Sequence, residues 1–207
     1  SLPALSLAGD SALAIAVAAA APGRLRALVA CSGVRPLTRP EQYERMDKWH
    51  RFIVAGARYT PHLLPFMVKA GFALARRKGK RAFLQAVHSN SPADLEVIAD
   101  DTVFEAMAAG TEICLSDTHS AHQAFAREVV ANQSKARHAE LDAVRGALPI
   151  DLLWGAQDPQ TKPETIAEQQ RDFDWIRFHR IEAAGQLLFF HHWARALDLI
   201  EPHLDPR

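Results

Sequence analysis

Four short apolar runs mark strand-like segments near the two ends of the chain. They occupy residues 4–8, 25–31, 150–154 and 175–181. The first two runs have few polar interruptions, which is typical of parallel strands that are buried on both faces. We therefore predict four parallel strands, two towards each end of the sequence.

The segment between the first two runs predicts a helix that packs closely on the sheet. Residues 12–21 are alanine or another aliphatic residue throughout, and Pro22-Gly23 ends the run. The order strand, tight turn, helix, strand makes a βαβ unit with a right-handed crossover. Further helices are predicted between the last two strands, over residues 163–171, and at the end of the chain, over residues 187–200.

The middle of the chain shows helical periodicity, with apolar residues three and four positions apart. The helices that this spacing predicts span residues 41–57, 61–76, 79–88, 93–100 and 121–132. Ser91 is suited to cap one of these helices, with Pro92 at the first helical position. No strand is needed in this region.

These patterns predict an α/β fold class with an inserted helical block. The expected parts are an α/β core over residues 1–37, an all-helical insertion over residues 38–147, and a second piece of the core over residues 148–207. About four parallel strands flanked by helices make up the expected sheet.

Three features together resemble the α/β-hydrolases that carry a helical cap. The run from Ala20 to Val29, AAPGRLRALV, is similar to the segment that follows the nucleophile elbow in that family. The helical block lies where the family inserts its cap. The loops after the last two strands lie where the family carries its catalytic acid and its catalytic histidine. The resemblance covers essentially the whole chain.

The resemblance also implies segments that precede this sequence in the family. A family chain normally begins with four further strands, and the loop after the third supplies one oxyanion donor. What remains is one contiguous half of the sheet. Strand 4–8 would then expose its edge, so we expect either that this sequence is a fragment or that a second copy or another chain pairs with that edge.

The family's nucleophile has two possible positions in this sequence. If Gly9-Asp10-Ser11 is the elbow, Ser11 is the nucleophile, although Leu13 stands where the family prefers glycine. If the spacing back from Pro22 is kept without a gap, the position falls on Ala8, which has no nucleophilic group. A serine at the start of a helix is also an ordinary N-cap, so Ser11 has a structural explanation as well.

The loops near the end of the chain contain the equivalents of the other two triad members. Asp158 follows Gly155 where the resemblance implies the catalytic acid. Gln186 stands where the family usually has histidine, and a carboxamide cannot accept and release a proton near neutral pH. His192, on the predicted closing helix, is the alternative base.

Apolar residues of the predicted cap and of the last loop are the candidate substrate contacts. In the cap they are Trp49, Phe66 and Phe72, and Leu187 follows the histidine-equivalent position. No third ligand accompanies His119 and His122, so we expect no metal site, and we expect no cofactor.

Composition and charge exclude several classes of partner. The 24 basic and 24 acidic residues give a formal net charge of zero. We therefore expect no nucleic acid and no membrane as partner. The two cysteines make no disulfide framework, which is typical of a cytoplasmic protein.

The sequence thus leads to two hypotheses. The first is a serine hydrolase of small ester- or lactone-type carbonyl substrates with a degraded triad. The second is a catalytically silent protein of the same fold that binds a small apolar ligand or pairs with another chain.

Overall fold

The computed structural model describes residues 2–7, 10–33, 37, 39–46, 48–114, 119–132 and 135–204. The strands found there are β1 (Leu2–Leu7), β2 (Leu25–Cys31), β3 (Ile150–Gly155) and β4 (Ile176–Ile181). They form one parallel sheet in the order β1-β2-β3-β4, with each strand paired in parallel to its neighbour. The predicted four-stranded parallel sheet is confirmed.

Helices flank the sheet and fill the long connection between β2 and β3. The helices that belong to the sheet layers are α1 (Asp10–Ala20), α10 (Pro163–Asp172), α11 (Leu188–His191) and α12 (Trp193–Ile200). Those in the long connection are α2 (Pro40–Glu44), α3 (Lys48–Tyr59), α4 (Leu64–Lys78), α5 (Lys80–Val87), α6 (Pro92–Ala99), α7 (Asp101–Cys114), α8 (His119–Asn132) and α9 (Lys135–Ala143). A short 3-10 turn, Glu201–His203, follows α12.

The sheet is covered on both faces, as expected for parallel strands. Leu28, Leu152 and Ile176 point to one face, where they pack with residues of α1 and α10. Val29 and Leu153 point to the other face and pack with residues of α11 and α12. This alternation follows from the two-residue period of a strand.

Helices α2–α9 contain two further apolar clusters. One joins α3, α4 and α8 through residues such as Ile53, Leu64 and Ala126. The other joins α5 and α6 to the segment that follows β4, through residues such as Val97 and Leu187. One part of the helical block is therefore attached to the sheet domain near residue 187.

Four details differ from the sequence-based expectation. The helix predicted over residues 41–57 is two helices, because a turn at Arg45 and Met46 separates α2 from α3. The closing helix is also two helices, which meet at His192. Helix α7 was missed because an acidic pair precedes it, and Asp100 in fact caps it by accepting from Val103 N. Helix α9 was missed because its sequence is mostly polar.

Candidate functional site

The carboxyl ends of the four parallel strands bring four chain segments to one edge of the sheet. Helix α1 begins after β1, and Ser32-Gly33 follows β2. Residues 156–162 follow β3 and include Asp158, so we call them the acid-equivalent loop. Residues 182–187 follow β4. In open α/β sheets this edge is where ligands bind.

Ser11 lies in the first turn of α1 and is buried, with 2% of its surface exposed. Gly33 approaches it so closely that a Cβ at position 33 would stand 2.8 Å from Ser11 Oγ. Leu13 points to solvent, so it does not keep α1 from the sheet. The other nucleophile position, Ala8, lies outside the described residues.

Ser32 connects this turn to the segment after β4. Its φ of 52° lies in the left-handed region, which non-glycine residues adopt rarely and often near functional sites. Its hydroxyl donates to the main-chain oxygen of Gln186 at 2.7 Å. Ser11 and position 186 are therefore separated by the pair Ser32-Gly33.

The loop after β3 holds Asp158 in a buried position. Gln157 N donates to Ala184 O at 2.9 Å, which fastens this loop to the segment after β4. Asp158 is 6% exposed, and its Oδ1 accepts from Gln160 N at 2.8 Å. The carboxylate is thus oriented by its own loop.

Gln186 lies against the acid-equivalent loop. Its Oε1 accepts a hydrogen bond of 2.5 Å from Gln160 Nε2. Gln160 also binds Asp158 through its main chain, so this one residue contacts the side chains at both position 158 and position 186. A carboxamide at this place can donate and accept hydrogen bonds but cannot transfer a proton at neutral pH.

Asp94 of α6 fixes the main chain beside Gln186. It is fully buried and accepts from Gln186 N at 3.1 Å and from Leu187 N at 2.8 Å. Gly185 is required next to it, because a Cβ at that position would overlap Ser91 Oγ and the Asp94 carboxylate. The helical block thus holds three consecutive residues of this loop.

The surroundings of Asp94 favour its ionised form. Burial by itself raises the pKa of Asp94, but hydrogen bonds from His88, Leu187 N, Ser91 and Gln186 N together lower it below its usual value. His88 Nδ1 lies 3.5 Å from Asp94 Oδ2. A stable carboxylate therefore supports the loop at neutral pH.

Sequence reasoning missed Asp94, Ser32 and Gln160 as parts of this site. Ser91 does cap α6, as predicted, by accepting from Asp94 N. That local role hid the contact of Asp94 with residues more than ninety positions away. Ser32 follows a predicted strand, so its position at the carboxyl edge of the sheet was a usable signal.

The other candidate residues lie in several different places. His192 is half-buried at the junction of α11 and α12, where its main-chain N donates to Leu188 O. Leu187 is buried in the apolar cluster with α5 and α6. Phe66 of α4 is 70% exposed. The side chains of Trp49 in α3 and Phe72 in α4 lie outside what the structure describes.

A cavity of about 330 Å³ opens beside the acid-equivalent loop. Asp158, Gln157 and Lys162 line it on the sheet side, and Asn90 lines it from the helical block. Its size is in the lower range of small-molecule sites, and its lining combines polar and charged residues with Ala156, Pro159 and Pro163. Ser11 is not among its lining residues.

Cys31, at the end of β2, is chemically unsuited to act as a nucleophile. Burial raises the pKa of its thiol to about 11, so the thiol stays protonated at neutral pH. The side chain of Cys114 lies outside the described residues.

The described residues do not meet the structural requirements of a metal site or of a membrane-spanning helix. Among them, no group of three His, Cys, Asp or Glu side chains is arranged to hold a metal ion. His119 and His122 lie in α8, and their side chains are outside the described part. No helix within the described ranges is long and apolar enough to cross a membrane.

Solved structures resemble this chain over nearly its whole length. A loop variant of the haloalkane dehalogenase DbeA, DbeA-M1, from Bradyrhizobium elkanii matches with a TM-score of 0.62 and 18% identity, covering 97% of this chain and 66% of that one. MGS-M2, an α/β-hydrolase enzyme from a Medee basin deep-sea metagenome library, matches with a TM-score of 0.57 and 14% identity over 98% and 66% of the two chains. DbjA matches with a TM-score of 0.59 and 17% identity over 98% and 70%.

The chain has an α/β-hydrolase fold. It spans about two thirds of the length of the structures that it matches. No protein-family model matches the chain, and no curated protein matches it. At these identities the likeness establishes the fold, and the chemistry has to be argued from the residues of this chain.

Proposed function

We propose that this α/β-hydrolase-fold protein acts on small ester- or lactone-type carbonyl compounds at the carboxyl edge of its sheet, with a serine centre that has lost its proton carrier. The observation that carries the proposal is the position of Gln186. Its side chain contacts Gln160 of the acid-equivalent loop, its main chain contacts Ser32, and Gly33 packs on Ser11, so a carboxamide stands where the proposed hydrolysis requires a base.

The residues have distinct roles in this proposal. Ser11 Oγ would attack the carbonyl carbon and displace the alcohol, and water would then cleave the acyl ester and restore the serine. Asp158 would orient a base at position 186. The carboxamide at position 186 cannot take up and release the proton of Ser11 as that base would.

The proposed rate is therefore low. In serine hydrolases that lose a triad member, only about 10³ to 10⁴ of acceleration over water remains, from binding and oxyanion contacts. We expect turnover in this range or below it, and we expect ligand binding to persist because it does not depend on proton transfer.

A second candidate is a silent protein that only binds its ligand. Two observations favour it: Ser11 is almost fully buried, and Gln160 already occupies the hydrogen-bonding oxygen of Gln186. The cavity lined by Asp158 and Asn90 is then the binding site. In this case Ser11 packs in the first turn of α1 and has no chemical role.

Turnover of p-nitrophenyl acetate and butyrate distinguishes the two candidates. The variants are Ser11→Ala and Gln186→His, with the exposed residues Ser89→Ala and Gln170→His as matched controls. The hydrolase proposal expects a raised kcat in Gln186→His that disappears when Ser11→Ala is added. Background rates in folded Gln186→His protein would contradict the proposal and favour the silent alternative.

We also infer that the free edge of β1 pairs with another polypeptide, a second copy or a partner chain. β1 has no neighbour on one side among the described strands and carries no charged residue. At the start of β1 Leu2 exposes 71% of its surface, and on α1 Leu13 and Val17 expose 66% and 40%. Uncharged open edges of this kind are pairing sites. Sedimentation velocity at high protein concentration tests pairing with a second copy. A protein that is monomeric there, and unchanged by Leu13→Lys, contradicts such pairing.

A further inference from the structure

Basic residues are concentrated in one continuous part of the chain. Residues 48–93 contain nine Lys and Arg and no Asp or Glu, although the whole chain has zero net charge. This segment comprises α3, α4 and α5 and extends to the start of α6. Lys80 and Arg81 form ion pairs with Glu112 and Asp101 of α7. The seven other Lys and Arg residues of this segment lie on α3 and α4, which contain no Asp or Glu.

Large apolar side chains are exposed on the same two helices. Phe52 and Leu63 expose 50% and 46% of their surfaces, and Tyr59 and Phe66 expose 70% each. Three of the four lie at or beside the turn that joins α3 to α4. Exposed apolar residues that cluster in this way are typical of an interaction surface.

Helix α4 has two opposite faces of different chemistry. Leu64 and Val68 are buried, with 0% and 5% exposure, in the cluster with α3 and α8. Phe66, Lys69 and Arg76 recur at three- and seven-residue intervals on the other side, and all three are exposed. From Phe66 to Arg76 this outward stripe runs for about 15 Å.

Helix α3 presents a matching stripe. Lys48, Phe52 and Tyr59 are four and seven residues apart and exposed, while Ile53 and Ala57 face the shared cluster with α8. Because both helices bury their inner faces against α8, their outward stripes point away from it. We call the exposed residues of these two stripes, together with Leu63 at the turn, the α3–α4 face.

We propose that the α3–α4 face docks on an anionic lipid surface. Helix α4 lies flat in the headgroup layer, with Tyr59, Leu63 and Phe66 inserted at the boundary of the acyl chains. Lys69 and Arg76 meet the negative headgroups. Amphipathic helices with a basic polar side and exposed aromatic residues bind membrane surfaces in this orientation.

The choice of a lipid surface rests on the mixture of side chains. A nucleic acid would be recognised by basic residues, but it offers no apolar layer for Leu63 and Phe66. An anionic bilayer complements both the charge and the exposed apolar area. From the net charge alone we expected no membrane partner; the distribution of charge within the fold leads to the opposite proposal, which is independent of the chemistry at Gln186.

Co-sedimentation with lipid vesicles tests the proposal. The full chain is mixed with vesicles of phosphatidylcholine alone and of phosphatidylcholine with phosphatidylserine, at low and at high salt. We expect binding only to the anionic vesicles, and weaker binding at high salt because salt screens the basic residues. Tryptophan is absent from the inserted tip, so a fluorophore at an introduced Leu63→Cys, in a protein lacking its native cysteines, reports insertion by a blue shift.

Two pairs of substitutions separate the electrostatic and apolar contributions. Lys69→Glu with Arg76→Glu should reduce the partition coefficient at least about tenfold, since each basic residue near an anionic surface contributes on this scale. Tyr59→Ser with Phe66→Ser should also reduce it by roughly tenfold. The matched controls are Arg24→Glu with Arg171→Glu, and Leu13→Ser with Val17→Ser, which change exposed residues elsewhere.

Several results would overturn the proposal. One is equal binding to neutral and anionic vesicles, and another is equal loss in the control pairs. A third is tight binding to an oligonucleotide at the same salt, by fluorescence anisotropy, without vesicle binding. The charge-reversal pair lies on exposed positions, so circular dichroism should show unchanged folding. A loss of vesicle binding by this variant can then be attributed to its charge.

Discussion

Replacing Asp94 should release the loop that carries Gln186 from the helical block. In Asp94→Ala, the main-chain N–H groups of Gln186 and Leu187 lose their acceptor. Leu187 is buried, and Gln186 is partly so, so water replaces the carboxylate poorly. An unsatisfied buried N–H costs about 1 to 3 kcal/mol, which gives about 2 to 6 kcal/mol for the pair.

Asp94→Asn should have a smaller effect of the same sign. The carboxamide oxygen can still accept one of the two N–H groups, but its NH₂ meets the other donor. We expect a loss of about 1 to 3 kcal/mol. Glu96→Gln, an exposed residue on the same helix, is the matched control and should change stability by less than about 0.5 kcal/mol.

The pH dependence gives a second test of the same contact. The pKa of Asp94 is lowered in the folded protein, so its contribution is complete above the unfolded value of about 4. It is lost as the pH falls from there through the folded pKa. The wild type should therefore lose stability more steeply below pH 4 than Asp94→Asn does.

Urea unfolding followed by circular dichroism measures these losses, and hydrogen exchange locates them. In both Asp94 variants the amides of Gln186 and Leu187 should exchange faster, while amides of β2 and β3 should follow the global stability. An Asp94→Ala protein with wild-type stability and unchanged exchange at residues 186 and 187 would refute the reasoning.

Three further substitutions or measurements test other contacts. Gly185→Ala should destabilise the fold by about 1 to 3 kcal/mol in urea titrations, because its methyl group would overlap the α6 residues beneath it; wild-type stability contradicts the stated packing. Asp151→Asn removes a buried carboxylate that binds Arg177 and His179, and it should lower the free energy of unfolding by about 1 to 2 kcal/mol at neutral pH. The difference from wild type should shrink below pH 4, because the pKa of Asp151 is lowered in the folded protein. In a variant without the other cysteine, Cys31 should react with a thiol reagent only as fast as the protein opens, since it is fully buried and its pKa is about 11; rapid reaction of folded protein contradicts this.

The sheet could be predicted from the sequence because its signals are local. Each buried strand is a short apolar run, and the alanine-rich helix between the first two runs has a clear end at Pro22-Gly23. The hydrolase-like order of these elements then fixed the topology, and solved structures of this fold confirm it. Boundaries were less certain: β1 begins at Leu2, two residues before the predicted start.

The attachment of the helical block could not be predicted, because it depends on contacts between distant residues. Asp94 has an ordinary position in the first turn of α6, and nothing near it in sequence indicates a partner at Leu187. The break at His192 is equally invisible, since the residues on both sides favour a helix. Periodicity identifies which elements form, whereas tertiary contacts decide where they meet.

The helical block shows that the net charge of a chain does not describe where its charges lie. Zero net charge is the sum of a basic segment, residues 48–93, and an acidic excess elsewhere. Electrostatic attraction to a surface depends on the charges within about a Debye length of it, near 10 Å at moderate salt, and not on the sum over the molecule. The clustering was visible in the sequence, but its meaning depends on the exposed aromatic residues that share the α3–α4 face.

The hydrogen bonds that hold residue 186 in place make Gln186→His an informative variant. Asp94 and Ser32 bind the main chain of Gln186, so the loop does not depend on the carboxamide for its position. The side chain itself contacts Gln160, whose main chain binds Asp158. In Gln186→His, the imidazole would therefore lie in a loop whose main chain is still held in place, near the buried carboxylate of Asp158. Adding Gln160→Ala would remove the amide that competes with Asp158 for the imidazole. If the double variant Gln160→Ala with Gln186→His folds but shows no ester turnover that depends on Ser11, the missing proton carrier is not what limits this site. Ligand binding without chemistry is then the better account.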